Sequence, residues 1–397
     1  MDKIDLVILA GGKGRRIKRL LLNKPKPMAK FNNKYFLEYI IQNFSRYNFR
    51  NIFILTGYKS RIIFKKFHKK NYNFTEITCL KEKNPMGTGG ALYSLKKKIN
   101  DFILVNGDTI FDINLKLLIR SLKKNTIGSL ALVKNNKNRN NKKLNNLTTK
   151  NGILISGKNK NVMNGGVYFF KRKIFKYIKK KNISLEEEIL PNLIKNKKIS
   201  GRFFKDFFID IGTPRSFKSA KKLLLNYFRR PGAFLDRDGV INYDYGYVHK
   251  MNKFKFRKGV LKGLQHLSEK NYYIFVVTNQ AGIGKKKFEQ LDFIKLHTKL
   301  KHVLDKKNIY FNKVSYSPFH PKAKIKKYKK NSLTRKPGNL LIENLKKDWH
   351  INLNKSFMIG DKISDKLAAE KSNLYFEFAK RDFSKQINFL IKKINSC

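Results

Sequence analysis

The sequence has few cysteines and no long hydrophobic run. Only Cys79 and Cys397 are present among 397 residues, which excludes a disulfide framework and a cysteine-based zinc site. The apolar run Leu6–Ala10 is followed at once by two glycines, so it is too short for a signal peptide, and no later run approaches the length of a membrane span. We therefore expect a soluble, cytoplasmic protein without a membrane partner.

Acidic residues are also scarce. There are 27 Asp and Glu against 89 Lys and Arg, which gives a formal net charge of +62. Such a charge is typical of a polyanion binder. The excess, however, is mostly lysine, is spread along the whole chain and comes with abundant Asn, Ile, Phe and Tyr, whose codons are rich in A and T. We therefore favour drift in an AT-rich genome over nucleic-acid binding, although the charge would still attract phosphorylated substrates.

The remaining composition is sufficient for two packed cores. A chain of 397 residues favours two domains over one, and a hydrophobic content of 41% excludes wholesale disorder. Both halves alternate short apolar runs with longer amphipathic stretches, which predicts an α/β fold with mostly parallel sheets. We place a first domain at 1–228, a linker at 229–232 and a second domain at 233–397.

Short apolar runs predict the strands. Those in the first half are Ile4–Ala10, Asn51–Leu55, Phe102–Val105, Val167–Phe170 and Phe207–Ile209. Those in the second half are Ala233–Leu235, Tyr272–Val277, Lys313–Tyr316 and Ser356–Ile359. Ser184–Glu187 has capping-box spacing and should open a helix, and a helix over Arg215–Tyr227 should end the first domain. Lys134–Lys150 is nearly all Lys, Asn and Arg, so we expect a solvated loop or arm there.

Aspartate ends four of the apolar runs, at Asp108, Asp210, Asp236 and Asp361. In open α/β sheets ligands bind at the carboxyl ends of the strands, so acids there are well placed to hold Mg²⁺ beside phosphates. A single such aspartate is explained more simply as the cap of the next helix. Two pairs, one in each half, favour metal-dependent phosphate chemistry.

A glycine-rich turn, Gly11–Arg16, follows the first predicted strand. Glycines let backbone N–H groups approach a triphosphate closely, and Arg16 can neutralise its charge. Lys26 follows between two prolines as a candidate phosphate ligand. The spacing GxGxxG of a dinucleotide-binding turn is absent, which argues against that rival interpretation.

The first half resembles the sugar-phosphate nucleotidyltransferases, whose signature is LAGGxGTRL followed by PKPM. The resemblance covers nearly all of residues 1–225 and includes Asn84–Ala91, Asn106–Asp108, Asn164–Tyr168 and Phe208–Pro214. It implies a Rossmann-like, GT-A-like domain. Within the family, the motifs look most like D-glycero-α-D-manno-heptose 1-phosphate guanylyltransferases. Arg15 departs from the family pattern, because it stands where a threonine is usual.

The resemblance also implies roles for individual residues of the first half. The residues implied to bind the nucleotide are Gly11, Gly12, Gly14, Arg16, Lys26, Gly87, Thr88 and Gly89. Those implied near the sugar phosphate are Asn164, Gly165 and Lys158. Asp108 and Asp210 are implied to hold Mg²⁺. Because little covalent help is needed, positioning and charge neutralisation by Mg²⁺, Arg16 and Lys26 should dominate catalysis.

A second group of motifs begins with Asp236-Arg237-Asp238, just beyond a predicted strand. Residues two apart in an extended chain point the same way, so Asp236 and Asp238 can face one phosphate. One carboxylate can attack phosphorus while the other, kept protonated, donates to the leaving oxygen. Thr278–Gly284 ends another strand and offers donors to the phosphoryl oxygens. Lys336 adds a cation, and Asp361 with Asp365 completes an acidic Mg²⁺ site.

These motifs resemble the haloacid dehalogenase-like (HAD-like) phosphatases over roughly residues 232–380, which implies a second Rossmann-like domain. Within them they look like D-glycero-D-manno-heptose 1,7-bisphosphate phosphatases and the related histidinol phosphatases. The resemblance implies that Asp236 is the nucleophile and Asp238 the acid/base. The residues implied to bind phosphate or substrate are Thr278, Asn279, Lys336 and Arg335. The implied Mg²⁺ ligands are Asp236, Asp361 and, through its backbone carbonyl, Asp238.

Two features of the second half concern its loops. His249 either lines the substrate loop or is simply packed or solvated. Many relatives carry a Cys/His zinc loop before the Arg335–Pro337 motif. Here the ligand positions have become Ser317, Phe319, Ser332 and Thr334, which leaves His320 alone. A single histidine cannot supply a structural zinc site, so we expect no zinc.

Together the resemblances imply a bifunctional enzyme of nucleotide-sugar biosynthesis. A phosphatase that removes the 7-phosphate of heptose 1,7-bisphosphate makes the heptose 1-phosphate that a nucleotidyltransferase would activate, with GTP as the expected donor. One alternative keeps both reaction types but changes the sugar phosphate. Another is a polyanion-binding protein on a decayed enzyme scaffold, against which the retained aspartates argue. The base, the anomer, the oligomeric state and channelling between the sites stay open at this point.

Overall fold

The computed structural model describes residues 3–21, 23–82, 84–134, 146–157, 162–179 and 182–396. The chain divides into two compact units. Unit 1 consists of Met1–Phe44 and Phe49–Leu224, and unit 2 of Ser45–Asn48 and Leu225–Cys397. The division after Leu224 lies inside a helix that continues to Phe228.

The strands of the first half lie where apolar runs occur. They are β1 (Asp5–Ala10), β2 (Lys30–Phe31), β3 (Lys34–Tyr35), β4 (Ile52–Thr56), β5 (Asn71–Tyr72), β6 (Thr75–Lys81), β7 (Phe102–Asn106), β8 (Thr109–Phe111), β9 (Gly128–Lys134), β10 (Leu147–Lys150), β11 (Ile153–Ser156), β12 (Val162–Phe170), β13 (Ile199–Phe203) and β14 (Phe208–Asp210). The α-helices are α1 (Phe36–Ser45), α2 (Ser60–Phe67), α3 (Gly87–Tyr93), α4 (Leu115–Arg120), α5 (Leu190–Lys195) and α6 (Pro214–Phe228). Short 3₁₀ turns cover Arg15–Leu21, Lys26–Met28 and Arg172–Lys176, and a π-turn covers Leu185–Ile189.

Parallel strands form the centre of the large sheet in unit 1. β1 pairs in parallel with β4 and β7, and β4 pairs in parallel with β6. β1 is buried at all but one residue, as expected for a strand covered on both faces. β12 runs antiparallel to β7 and β9 and extends the sheet, whose full order is β10-β11-β13-β9-β12-β7-β1-β4-β6-β5. The carboxyl ends of β1 and β7 therefore lie side by side.

The structure corrects the loop predicted over Lys134–Lys150. Lys134 still belongs to β9, and Leu147–Lys150 forms β10, antiparallel to β11. Leu147 is buried, and two β-branched threonines follow it, which favours a strand despite the polar composition around it. Residues 135–145 of the predicted loop lie outside the described residues.

The predicted helix start at Ser184 is present, with a different partner for the reciprocal bond. The Ser184 hydroxyl accepts from the backbone N–H of Glu187 at 3.1 Å. The side chain that accepts from the backbone N–H of Ser184 is Glu188, at 2.8 Å, and not Glu187. The shift by one residue occurs because the first turn is a π-turn, which precedes α5.

Unit 2 contains a five-stranded parallel sheet. Its strands are β15 (Gly232–Leu235), β16 (Tyr273–Asn279), β17 (Lys313–Ser317), β18 (Phe357–Gly360) and β19 (Tyr375–Phe378), in the order β17-β16-β15-β18-β19. The helices are α7 (Val260–Glu269), α8 (Ala281–Gly284), α9 (Gln290–Lys306), α10 (Leu340–Asp348), α11 (Ile363–Glu370) and α12 (Phe383–Ser396), with 3₁₀ turns at Met251–Lys253, Lys326–Tyr328 and Leu353–Lys355. Phe234, Phe275 and Trp349 pack in the core. The predicted α/β class is confirmed in both units.

The predicted strand positions agree with this topology to within a residue or two at most ends. β12 is the main exception, because it begins at Val162 and not at Val167. A bulge between Asn164 and Tyr168 lets the strand continue along β9. Within the described part of the chain, no helix has both the length and the apolar character needed to cross a bilayer.

Candidate active sites

The two aspartates proposed to bind metal in unit 1 lie next to each other. Asp108 follows β7, and the antiparallel pairing of β14 with β8 places Asp210 opposite Thr109. The Thr109 hydroxyl lies 3.3 Å from Asp108 Oδ1 and 3.4 Å from Asp210 Oδ2. The backbone N–H of Ile211 also donates to the Asp108 carbonyl at 3.0 Å. Two strand ends far apart in sequence thus present a pair of carboxylates.

Two cations lie beside this carboxylate pair. Lys26 is buried and its ammonium forms an ion pair with Asp108. A methyl group built on Gly212 would lie 3.0 Å from Lys26 Nζ, 3.3 Å from Arg16 Nη2 and 2.7 Å from Asp210 Oδ1, so all three side chains converge on that backbone. Burial acts to raise the pKa of Asp108, but the Lys26 ammonium outweighs it and the pKa lies below its ordinary value.

A cavity of about 820 Å³ is lined by two of these groups, Lys26 and Asp108, whereas Arg16 and Asp210 are not among its described lining residues. Its lining includes the three glycines of the first turn, Arg15, Lys26, Asp108, Gly87 and Thr88. Gly87 has a φ of +69°, and a Cβ there would lie 2.5 Å from the Ile183 carbonyl oxygen, so only glycine fits. The volume is in the range of sites that enclose a nucleotide-sized ligand.

Some residues proposed for this site make other contacts. The Thr88 hydroxyl donates to Glu186 at 2.7 Å and accepts from the Leu185 N–H at 2.9 Å. Gly89 donates its N–H to the Ile183 carbonyl at 2.9 Å. These contacts connect the first turn of α3 with the π-turn and the residues just before it.

Two of the residues proposed to bind the sugar phosphate, Asn164 and Gly165, lie at the bulge of β12. The Asn164 amide donates to the Tyr168 hydroxyl at 2.7 Å, and its oxygen accepts from the Gly166 N–H at 2.8 Å. A Cβ on Gly165 would lie 2.5 Å from the Phe111 ring. Lys158 lies outside the described residues.

Two acidic residues of the cavity were missed by the sequence analysis. Glu82 and Glu186 both line it. Glu82 Oε1 would lie 3.0 Å from a Cβ on Gly11, and burial raises the pKa of its carboxyl. The available signals were weak: Glu82 precedes the Asn84–Ala91 motif by two residues, and Glu186 belongs to the segment interpreted only as a helix cap.

Unit 2 buries its carboxylates more deeply. Asp236 follows β15, and its Oδ1 accepts from the Arg237 N–H at 2.7 Å and lies 3.0 Å from Lys336 Nζ. The same ammonium lies 2.6 Å from Asp365 Oδ1 and donates to the Val277 carbonyl at 2.8 Å. Burial, with help from Asp365 and against the Lys336 ammonium, raises the pKa of Asp236 to about 6.

Three carboxylates in this site are arranged to hold a metal ion. Asp236, Asp361 and Asp365 each offer an oxygen, and these oxygens lie within 4.8 Å of one another. Asp361 Oδ1 is buried without a hydrogen-bond partner among the described residues. Gly239, at a φ of +82°, lets the chain pass so close to Asp361 that a Cβ would lie 2.2 Å from its Oδ2. Carboxylate oxygens are the donors that Mg²⁺ prefers, so the residues fit that ion.

Asp238 lies beside Asp236 with its carboxylate turned to buried donors. Arg237 Nη2 donates to Oδ1 at 2.7 Å and to Oδ2 at 2.6 Å. Asn242 Nδ2 donates to Oδ1 at 2.9 Å, and Gln280 Nε2 donates to Oδ2 at 3.0 Å. Arg237 and Gln280 were not identified as site residues from the sequence, although both lie inside its motifs.

The other proposed phosphatase residues surround this centre. Thr278 is buried and its hydroxyl accepts from Gln280 at 3.0 Å. The Asn279 amide and the Lys336 backbone exchange two hydrogen bonds of 3.0 Å, so Asn279 orients the lysine. Arg335 is half-buried. His249 stacks on Phe288, with ring centroids 4.8 Å apart.

Hydroxyl groups occupy three of the four positions where zinc ligands were considered. Thr334 Oγ1 lies 3.1 Å from Ser317 Oγ and 2.8 Å from Ser332 Oγ. The chain of hydroxyls joins the end of β17 to the segment just before Arg335. His320 Nδ1 accepts from the Lys322 N–H at 2.9 Å.

Comparisons with known proteins agree with this division of chemistry. A family model described as nucleotidyl transferase matches residues 6–226, and one described as polynucleotide kinase 3 phosphatase matches residues 236–392. The D-glycero-β-D-manno-heptose-1,7-bisphosphate 7-phosphatase of Rhodopseudomonas palustris is 35% identical over 163 residues, which are 40% of this chain and 91% of that protein. The protein of the same name from Escherichia coli K12 is 34% identical over 144 residues, 36% of this chain and 75% of its own length.

Solved structures resemble each part of the chain. HddC from Yersinia pseudotuberculosis is 26% identical, with 56% of this chain and 99% of that chain covered and a TM-score of 0.47. A putative HAD-like phosphatase from Mesorhizobium loti is 22% identical, with 42% and 87% covered and a TM-score of 0.39.

Two α/β enzymes that handle phosphate are thus joined in one chain, a nucleotidyltransferase followed by an HAD-like phosphatase. The chain belongs to the nucleotidyl transferase family over more than half of its length, and its second part belongs to the family of the D-glycero-β-D-manno-heptose-1,7-bisphosphate 7-phosphatases. Both resemblances predicted from the motifs are confirmed.

Proposed function

We propose that this chain makes a nucleotide-activated heptose in two steps. It removes the phosphate at C7 of D-glycero-D-manno-heptose 1,7-bisphosphate and then transfers GMP from GTP to the heptose 1-phosphate, releasing pyrophosphate. The observation that carries the proposal is the joining of the two families in one chain, because the product of such a phosphatase is a sugar 1-phosphate, the substrate class of the transferase. A reaction that consumes a nucleoside triphosphate is in keeping with a cytoplasmic enzyme.

The phosphatase step is assigned to Asp236 and Asp238. An Asp236 oxygen attacks phosphorus, the bond from phosphorus to the C7 oxygen breaks, and the Asp238 carboxyl gives its proton to that oxygen. Asp238 then takes a proton from a water that attacks the aspartyl phosphate, which restores Asp236 and releases phosphate. Lys336, 3.0 Å from Asp236, and Thr278 hold the phosphoryl oxygens.

The transfer step needs no covalent intermediate on the protein. An oxygen of the sugar 1-phosphate attacks the α-phosphorus of GTP, and pyrophosphate leaves. Arg16 and Lys26 neutralise the developing charge, and the turn Gly11–Gly14 donates backbone N–H groups to the triphosphate. Asn164, Gly165 and Lys158 are assigned to the sugar phosphate.

Magnesium is the proposed cofactor of both sites. Asp108 and Asp210 would hold it in unit 1; Asp236, Asp361 and the backbone carbonyl of Asp238 would hold it in unit 2, with Asp365 beside them. The ion supplies charge neutralisation at the reacting phosphate. No zinc is included in the proposal.

The test is mass spectrometry of the products formed by purified protein with Mg²⁺, heptose 1,7-bisphosphate and a mixture of the four nucleoside triphosphates. Both anomers are supplied separately, because the relatives' names specify β whereas the guanylyltransferase resemblance specifies α. We expect GDP-heptose from one anomer, lost in both Asp236→Asn and Asp108→Asn variants. Heptose 1-phosphate without a nucleotide product would overturn the transferase assignment. Recovery of both anomers of the bisphosphate unchanged would overturn the assignment of heptose bisphosphate as the substrate.

A further inference from the structure

Gln280 makes a pair of contacts in the phosphatase site that its place in the sequence does not explain. Its Nε2 donates to Asp238 Oδ2 at 3.0 Å and to Thr278 Oγ1 at 3.0 Å. A side-chain amide carries two N–H donors, so both bonds form at the same time. One side chain therefore joins the proposed general acid to a proposed phosphate ligand.

The amide is held rigidly. Gln280 is 3% exposed. Its backbone N–H donates to the Ser317 carbonyl at 2.7 Å, so the backbone that carries the side chain is held against the last residue of β17. Thr278 is 1% exposed. Because water has little access to these groups, the two hydrogen bonds meet little competition from solvent.

Asp238 needs such support, because proton transfer depends on its direction. Its side chain is 17% exposed, Arg237 Nη2 donates to both of its oxygens, and Asn242 Nδ2 donates to Oδ1. General acid catalysis requires hydrogen-bond reach from the carboxyl group to the leaving oxygen, so the orientation that these donors set bears on the rate. Gln280 contacts Oδ2 and the phosphate ligand Thr278 together, so it fixes one relative to the other.

We propose that Gln280 is a positioning residue that orients Asp238 for proton transfer to the leaving oxygen. The inference rests on the proposed phosphatase chemistry but not on the identity of the sugar. Gln280 neither gives nor takes a proton in this scheme: the proton moves from Asp238 to the leaving oxygen as the bond to phosphorus breaks, and the amide only donates hydrogen bonds throughout.

The leaving group provides the test. A nitrophenolate leaves readily without a proton, whereas an alkoxide does not, so loss of general acid catalysis slows poor leaving groups selectively. We compare kcat/KM of Gln280→Met and wild type for p-nitrophenyl phosphate, phenyl phosphate and a simple alkyl phosphate. We expect a fall of about threefold or less for the first and of roughly 10- to 100-fold for the last, part of the 10²–10⁴-fold that a general acid contributes. Equal falls for all three esters would show a merely structural role and overturn the proposal.

Matched variants separate positioning from folding. Gln386→Met makes the same change at another buried glutamine of unit 2, whose amide donates to Glu377 and Phe378, and it should leave the ratio of alkyl to aryl rates unchanged. Gln280→Leu likewise has no N–H donor and adds no charge beside Asp238, so it should show the same selectivity as Gln280→Met; wild-type selectivity in it would contradict the proposal.

A double-mutant cycle completes the test. Asp238→Asn removes the acid itself, so adding Gln280→Met to it should slow the alkyl ester no further, because residues that act as a unit are not additive. Fully additive losses would overturn the inference. The simple esters make the result independent of the heptose. If the wild-type enzyme does not act on the heptose bisphosphate but the variants show this pattern with the simple esters, only the proposed substrate is wrong.

Discussion

The two sites of this chain place their carboxylates in different surroundings. In unit 1 the Asp108 side chain is 31% exposed beside a cavity of about 820 Å³. In unit 2 the side chains of Asp236 and Asp365 are 8% and 1% exposed. Nucleotidyl transfer must admit a triphosphate and a sugar phosphate together and needs no nucleophile from the protein. A phosphatase that forms an aspartyl phosphate needs one desolvated carboxylate in a fixed position, and the burial of Asp236, the proposed nucleophile, is in keeping with that need.

The pKa shifts of the two sites are opposite in sign, in agreement with this difference in exposure. The pKa of Asp108 lies below its ordinary value because the Lys26 ammonium outweighs the effect of burial. The pKa of Asp236 lies above its ordinary value because burial and Asp365 outweigh Lys336. A lowered pKa suits a group that only binds a cation, whereas a carboxylate that is poorly stabilised as an anion suits a nucleophile.

The largest effect should come from removing the proposed nucleophile of the phosphatase. Asp236→Asn keeps the shape of the side chain but cannot form the aspartyl phosphate, so phosphate release should fall on the order of 10⁴-fold or more. Nucleotidyl transfer to supplied heptose 1-phosphate should stay within about twofold, since no covalent step of transfer uses unit 2. Phosphate release and pyrophosphate release, assayed separately, check both halves.

Asp108→Asn is the matched change in unit 1 and should reverse the pattern. Pyrophosphate release should fall on the order of 10²–10³-fold, the usual cost of removing one preorganised electrostatic group, while phosphatase activity persists. The smaller loss is the expected signature of a site that works by positioning. A loss of both activities in either variant would contradict two independent sites.

Metal removal should affect both sites alike. Chelation with EDTA should lower both activities at least about 100-fold, because both reactions develop charge on phosphate oxygens that Mg²⁺ neutralises. Added Mg²⁺ should restore both. Retention of either activity in metal-free buffer would count against the carboxylate pair or triad of that unit as a metal site.

Lys26→Met tests the cation of unit 1 alone. Removing the ammonium beside Asp108 should lower kcat for nucleotidyl transfer by roughly 100-fold and leave phosphatase activity unchanged. Lys30→Met is the control, because Lys30 is exposed four residues away. Equal effects of the two variants on transfer would show that only the overall charge matters in this very basic chain.

The sequence predicts best what lies within short segments. Asp236 and Asp238 form one motif, and the direction of an extended chain after a buried strand predicts that both can face one phosphate. The strand-end pattern grouped Asp210 with Asp108, but their contact could not be predicted from it, because that contact depends on the pairing of β14 with β8. The bulge that extends β12 depends likewise on its partner β9.

Side chains that enter a site from another segment were the ones missed. Glu82 reaches the glycine turn because β6 lies two strands from β1 in the sheet, and no local pattern encodes that approach. Gln280 lies inside a recognised motif, but its two hydrogen bonds depend on the positions of Asp238 and Thr278. Residue types therefore predict the chemistry of each site, whereas its supporting contacts require the fold.

The smallest expected effect concerns the hydroxyl chain before Arg335, where the four positions considered for zinc ligands carry neither cysteine nor histidine. Thr334→Val removes the hydroxyl between Ser317 and Ser332 and leaves the fully buried Ser317 without that partner, so the free energy of unfolding should fall by about 1–3 kcal/mol. KM for a phosphatase substrate should rise a fewfold through Arg335, with kcat little changed.

Thr298→Val is the control. Thr298 lies on the exposed face of α9, so this change should lower the free energy of unfolding by less than about 0.5 kcal/mol. Denaturant unfolding and metal analysis check these expectations. A loop held by hydroxyls should retain its stability after zinc chelation. If bound zinc and stability were lost together, the loop would be held by a metal ion.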